Sequence, residues 1–252
     1  MTNITDSKND RFAGALGDKY ALIQKGLPYY LDMQKAIAVA VHNGLRALTG
    51  NPHTVLDLGC GTGITTLALG EELTNVKIIG VDKGTTMLKQ YDALVRKHEA
   101  ELQGKGVTVT MIEKDALEFL KGCEDSTFDV VASGFTLHNI SKDLRPQIAM
   151  EIGRVLRPQG RFVNADKIAR DDEKLHQKDL MDQIAKFVEC YGNPAETAYG
   201  LEWIEHYIRD NQPDLKQTEA EVGDTLSKAG FGKIQIIERH GMDALVIADR
   251  LA

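Results

Sequence analysis

Three glycines at alternate positions carry the clearest chemistry in this chain. They close the run Val55-Leu-Asp-Leu-Gly-Cys-Gly-Thr-Gly63, and a helix-like segment, Ile64 to Leu73, follows at once. The pattern reads as a strand, a tight turn and a helix N-terminus, with a backbone bare enough for a ligand to lie against it. A second apolar run, Lys77-Ile-Ile-Gly-Val-Asp82, ends in a carboxylate suited to the two hydroxyls of a ribose. The spacing argues against two common ligands. A dinucleotide fingerprint is G-x-G-x-x-G, and counted from Gly59 the third glycine would fall on Ile64. A phosphate-cradling loop needs Lys followed by Ser or Thr, which is lacking here. His138, in Thr136-Leu-His-Asn-Ile140, is the candidate general base, since histidine titrates near neutrality. A ring that hydrogen-bonds its own loop or packs on a ligand is the plainer reading.

These residues need a scaffold, and the apolar pattern supplies one. Strands Thr54–Leu58, Lys77–Asp82, Val107–Glu113, Phe128–Ser133 and Arg161–Asp166 alternate with helical segments Ile64–Leu73, Thr85–Leu102, a short one near Leu117, and Ser141–Leu156. Such alternation predicts a parallel sheet covered on both faces. Tyr20 to Leu48 has a helical period through Ile37, Val41, Leu45 and Leu48. Residues 171–211 are helical and charged, with a stripe of Met181, Ile184, Phe187, Val188 and Tyr191 that reads as core before substrate box. His176 and His206 in this region are expected to face solvent. Thr218–Ala229 is a helix stopped by Gly230, and Lys233–Arg239 with Ala244–Asp249 form a terminal hairpin.

Five of these blocks, in order over residues 50–168, resemble the class I S-adenosylmethionine (SAM) methyltransferases. They are the glycine turn, the acid at 82, Asp115 after the third apolar run, Phe128–Ser133, and Arg154-Val-Leu-Arg-Pro-Gln-Gly-Arg-Phe-Val163. The last is similar to the family's L-x-P-G-G turn, with Gln159 in place of the first glycine. The arrangement Leu27-Pro-Tyr-Tyr30, Phe135-Thr-Leu137 and Leu226 to Phe231 is further similar to the carboxy-SAM synthases. In those enzymes the tyrosine matching Tyr30 touches the cofactor, Gly134 stands where they have an asparagine, and Arg209 has no clear match to their carboxylate-holding arginine.

The resemblance implies an α/β fold: a Rossmann-like, doubly wound, mostly parallel seven-stranded sheet, with a helical lid insertion after strand five and a C-terminal antiparallel hairpin. Residues 1–50 would be an N-terminal helical segment over the cofactor, and 51–252 the SAM-binding domain, with 171–211 as the lid. The expected cofactor-binding residues are Tyr30, Asp57, Gly59, Cys60, Gly61, Gly63, Asp82, Lys83, Asp115, Ala116, Ser133 and Gly134. Asp57 would reach the ammonium end of SAM or serve the following helix, and Asp115 would take the adenine amine or cap a helix. Tyr29 and Tyr30 have a competing role as core aromatics. The expected activity is methyl transfer from SAM to a small molecule; a carboxy-SAM synthase-like enzyme and a non-catalytic SAM-binding partner are the alternatives.

Composition sets the remaining bounds. With 30 Lys and Arg against 37 Asp and Glu, the net charge is −7, which disfavours a large phosphate-backbone footprint and hence nucleic acid as partner. Three cysteines without a C-x-x-C pair predict neither a disulfide framework nor a zinc site and suit a reducing cytoplasm. Ala36 to Val41, the longest apolar run, is too short to span a bilayer, and the polar start shows no signal peptide. A homodimer is compatible with all of this.

Overall fold

The computed structural model of the protein describes residues 17, 19–50 and 52–251; the expectations placed on residues 1–16 and 18 lie outside them. A 3-10 turn, Tyr20–Leu22, runs into one helical turn, Ile23–Gly26, and then α1 (Tyr30–Leu45). The alternating series follows: β1 (His53–Leu58), α2 (Ile64–Glu72), β2 (Val76–Asp82), α3 (Thr85–Gly104), β3 (Thr108–Glu113), α4 (Ala116–Lys121) and β4 (Phe128–Gly134). A second 3-10 turn, Leu137–Asn139, leads to α5 (Arg145–Val155) and β5 (Leu156–Lys167). The chain ends with α6 (Glu173–Cys190), α7 (Thr197–Asp210), α8 (Glu219–Lys228), β6 (Phe231–His240) and β7 (Asp243–Arg250).

The seven strands lie in the order β3-β2-β1-β4-β5-β7-β6. Strands β1 to β5 are parallel, and β7 is antiparallel to both β5 and β6. The order reverses between β1 and β4, so a crevice opens beyond their C-terminal ends, where open α/β sheets bind ligands. Alternate residues of β1 feed two cores because side chains on a strand point to opposite faces. Val55 packs with Ile37, Val41 and Ile78 on the α1 side, and Leu56 and Leu58 pack with Phe128, Ile148 and Ile152 on the α5 side. Among the described residues, no helix is long and apolar enough to cross a membrane.

Two stretches differ from the periodicity. The helix expected over Ser141–Leu156 starts at Arg145 and gives way to β5 at Leu156. Pro158 explains the stop, since it cannot continue a helix and biases Arg157 towards extended backbone. Gln159 then takes φ +65°, a left-handed conformation that glycine would adopt without strain. In α6 the buried stripe is His176, Leu180, Gln183 and Phe187, whereas Met181 and Val188 are exposed. His176 and His206 are therefore buried, contrary to the solvent-facing expectation. Helices α6 and α7 pack face to face, with Phe187 and Tyr207 edge-on at 5.0 Å, and the histidines lie on those facing stripes. The same pair grips the N-terminal segment. Tyr191 OH donates to the Leu22 carbonyl at 2.7 Å and accepts from Gly26 N–H at 3.2 Å.

Candidate functional site

The crevice at the β1/β4 switch holds a cavity of about 160 Å³. Its wall contains Tyr30, Gly59, Cys60, Gly61, Asp82, Lys83, Asp115, Ala116 and Gly134, all expected from the sequence. Asp82 organises it. One carboxylate oxygen accepts from Gly61 N–H at 3.0 Å, and the other from Gly84 N–H at 2.7 Å. The carboxylate thus ties the end of β2 to the glycine turn.

The three glycines do three different things. Gly61 has φ +50°, and a Cβ built on it would meet nothing nearer than Met87 Cε at 3.5 Å, so its bareness serves the cavity. At Gly59 (φ +75°) a Cβ would strike the Thr136 side chain at 2.1 Å; Thr136 Oγ1 donates to the Gly59 carbonyl there. Gly63 lies off the cavity wall. It is the left-handed N-cap of α2, and a Cβ would strike the Tyr91 ring at 2.8 Å, so this glycine serves helix packing in place of ligand approach.

Two more expected contacts sit behind the wall. Ser133 is fully buried and its hydroxyl donates to the Leu58 carbonyl at 3.0 Å, joining β4 to β1. Asp57 is also fully buried, accepts from Thr66 Oγ1 at 2.6 Å, and its second oxygen has no hydrogen-bond partner among the described residues. Burial pushes its pKa up to about 7, with the nearby Asp82 charge adding to the rise. Asp115 keeps both readings. It caps α4 by accepting from Leu117 N–H at 3.0 Å, and it lines the cavity with Lys83 Nζ 3.7 Å from its outer oxygen.

Sequence patterns missed several wall residues. Phe135 has φ +56°, strained for an aromatic, and stacks on Tyr30 at 5.3 Å. Asn139 is on the wall, and its buried side-chain oxygen has no hydrogen-bond partner among the described residues. That unmet acceptor suits a ligand N–H. Phe135 stood in the Phe135-Thr-Leu137 motif without being read as a contact, and Asn139 had no spacing signal; both positions depend on how the chain leaves β4. A bare turn, a carboxylate on the wall and an unmet acceptor are together a set of groups that a nucleoside with a sulfonium amino-acid tail fits. The Cys60 thiol is pushed up by burial and stays protonated, which removes it as a nucleophile.

His138 is not on this wall. It is buried, and its ring Nδ1 lies 2.5 Å from Asp166 Oδ1 while its backbone N–H donates to the other Asp166 oxygen at 3.1 Å. Donation from Nδ1 leaves Nε2 as an electron-pair donor. Burial pulls the imidazole below its usual pKa, against the opposing pull of Asp166, so the ring is neutral at pH 7. His138 borders a small inner cavity with Lys167, Trp203, His206 and Tyr207; Tyr20 and Phe135 border both cavities and divide them.

Comparisons with known proteins bear on the family and the fold. A family described as "Methyltransferase domain" matches residues 55–160. The carboxy-S-adenosyl-L-methionine synthase of Stutzerimonas stutzeri is 28% identical over 219 residues, 84% of this chain and 81% of that protein. The demethylmenaquinone methyltransferase of Lactococcus lactis is 31% identical over 199 residues, 76% of this chain and 70% of that protein. Among solved structures, an O-methyltransferase family protein from Burkholderia thailandensis superposes with a TM-score of 0.63 at 17% identity. The match covers 97% of this chain and 63% of that one, and it bears on the fold alone.

Proposed function

Because the chain belongs to the class I SAM-dependent methyltransferases, we propose that it moves a methyl group from SAM to a small-molecule acceptor held above the Tyr20–Phe135 partition. The observation that carries this reading is the Asp82 carboxylate, fixed by two backbone N–H groups at the rim of a bare glycine turn. In this reading Asp82 takes the ribose hydroxyls, the Gly59–Gly61 backbone passes under the amino-acid tail, and Asp115 with Ala116 frames the adenine. When bound, SAM supplies a methyl group already activated by its sulfonium charge. The protein's task is then to hold an acceptor atom in line, dry and about 3–3.5 Å away. Tyr30 and Phe135, stacked on the wall, supply an apolar surface for that.

On the acceptor side the candidate is His138, neutral and with a lone pair at Nε2. That lone pair can take an acceptor's proton or hold a cation; the two uses exclude each other, and the surroundings of Nε2 decide between them. The helices of residues 171–211 and the Tyr20–Tyr30 segment close over the acceptor, as their mutual grip through Tyr191 supports.

A second reading follows from relatives named carboxy-SAM synthases, at 28% identity for one of them. Tyr30 on the wall favours it. Against it, among the described residues the cavity wall offers one cation, Lys83, already beside Asp115, so an extra carboxylate on the cofactor would lack a partner. Mass spectrometry of the ligand that copurifies with the protein separates the two. SAM or its demethylated product, S-adenosylhomocysteine (SAH), is expected; a sulfonium heavier by a carboxyl group would overturn the methyl-transfer reading.

A further inference from the structure

We infer that His138, His206 and Asp210 form a binding site for a divalent transition-metal ion, on the acceptor side of the Tyr20–Phe135 partition. The donor atoms of the three side chains all lie within 4.8 Å of one another, and all three residues are buried. Asp210 Oδ2 is 3.9 Å from His138 Nε2 and 3.6 Å from His206 Nε2. His206 and Asp210 are one turn apart on α7 and share a face, and His138 approaches from the turn after β4.

Four observations point to a metal ion. First, His138 Nδ1–H is held by Asp166, the outer carboxylate that metal-bound imidazoles usually have, and this turns a bare lone pair towards Asp210. Second, the contraction needed is small. Nitrogen and oxygen ligands at about 2.0–2.1 Å from a tetrahedral ion stand roughly 3.3 Å apart, within an ångström of the two measured distances. Third, two imidazoles and one carboxylate are the donors that zinc and its neighbours favour, whereas calcium and magnesium prefer oxygen throughout. Fourth, Tyr207 OH is buried without a hydrogen-bond partner among the described residues, and its residue borders the same inner cavity. It is a ready donor to the oxygen of a fourth ligand.

Lys167 is the counter-argument and the most useful handle. Its ammonium lies 2.6 Å from Asp210 Oδ2 and 3.6 Å above the Tyr207 ring, so in this structure it neutralises the oxygen that a metal would claim. A metal ion must displace it. The surroundings are acidic, since Asp166, Asp210 and Asp243 lie within electrostatic reach of one another beside Lys167. A metal there would bind an acceptor's hydroxyl or enol oxygen and lower its pKa, so that His138 need not act as the base. This last role rests on the methyl-transfer reading; the metal site itself does not.

The test is zinc content by mass spectrometry after dialysis against Zn(II), followed by Co(II) titration watched through the visible bands of the cobalt complex. One ion per chain is expected. His206→Ala and Asp210→Asn should each weaken binding by roughly 10–100-fold or more, the loss seen when metal-site groups are removed. Lys167→Met should tighten it by roughly tenfold or more, the effect of about 1.4 kcal/mol of removed repulsion. Circular dichroism checks that the variants fold. Wild type and Lys167→Met both free of stoichiometric metal would overturn the proposal, as would His206→Ala binding as tightly as wild type. SAH calorimetry on the same samples keeps the two readings apart. SAH binding without metal sinks only the metal site, and metal without SAH binding sinks the methyl-transfer reading.

Discussion

Replacing Asp82 by Asn tests the cofactor site with almost no change in shape. The carboxylate accepts two backbone N–H bonds, from Gly61 at 3.0 Å and Gly84 at 2.7 Å. An amide has one acceptor oxygen, so one of those donors would face an NH2 group instead. A hydrogen bond to a charged acceptor is worth roughly 1.5–3 kcal/mol, and a buried donor left facing another donor loses a comparable amount. Part of that loss falls on the free protein, where the turn loosens. The rest falls on the complex, because the ribose hydroxyls lose a charged acceptor. Together they predict SAH binding weaker by about 10–100-fold, or roughly 1.4–2.8 kcal/mol. Isothermal calorimetry with SAH gives the affinity, and a parallel thermal melt without ligand separates turn loosening from lost contact. An affinity within about threefold of wild type, in a variant that melts normally, would refute the reasoning and place the ribose elsewhere.

Three further outcomes follow from the same geometry. Gly61→Val should abolish SAH binding while leaving a cooperative melt, because a β-branched residue at φ +50° is strained and its side chain enters the cavity; undiminished binding would contradict the turn assignment. Gly26→Ala should destabilise the protein by roughly 1–3 kcal/mol through overpacking, since a Cβ there would meet the Phe187 ring at 2.5 Å; unchanged urea unfolding would show that the N-terminal turn and α6 are not wedged together. Asp57 sets a pH dependence. Its pKa is raised by burial from 3.8 to about 7, so the folded state binds the proton more tightly than the unfolded state. The stability this gives is present below about pH 4 and is lost as pH rises through 7. Asp57→Asn should be free of that loss and gain up to roughly 4 kcal/mol over wild type at pH 8; unfolding curves with the same pH slope in both proteins would refute the shift.

The strand–turn–helix at 55–73 and the acid at 82 were legible because each is a local pattern. Apolar alternation, three bare positions and a terminal carboxylate all fall within a span that a single βαβ unit controls. The same holds for Asp115, whose two roles as helix cap and cavity wall are both local to its loop. Where the resemblance assigned a ligand contact, the cavity wall took some of those residues and left others behind it. Gly61 faces the cavity, but Gly63 yields to Tyr91 and Ser133 to the Leu58 carbonyl, partners that sit on other elements.

The sequence by itself determined the alternation of strands and helices, the bare turn at 59–63 and the acid that ends the next strand, because those follow from hydrophobic period and turn chemistry within short stretches. Only the tertiary structure decided the strand order and gathered the buried polar cluster around the inner cavity. His138, Asp166, Lys167, His206, Asp210 and Tyr207 come from the turn after β4, from β5 and from α7, with no fixed spacing between them, and helical period alone pointed His176 and His206 to water. Their burial is settled by α6 and α7 packing on each other and on the N-terminal turn, a long-range contact for which no local residue pattern carries the instruction.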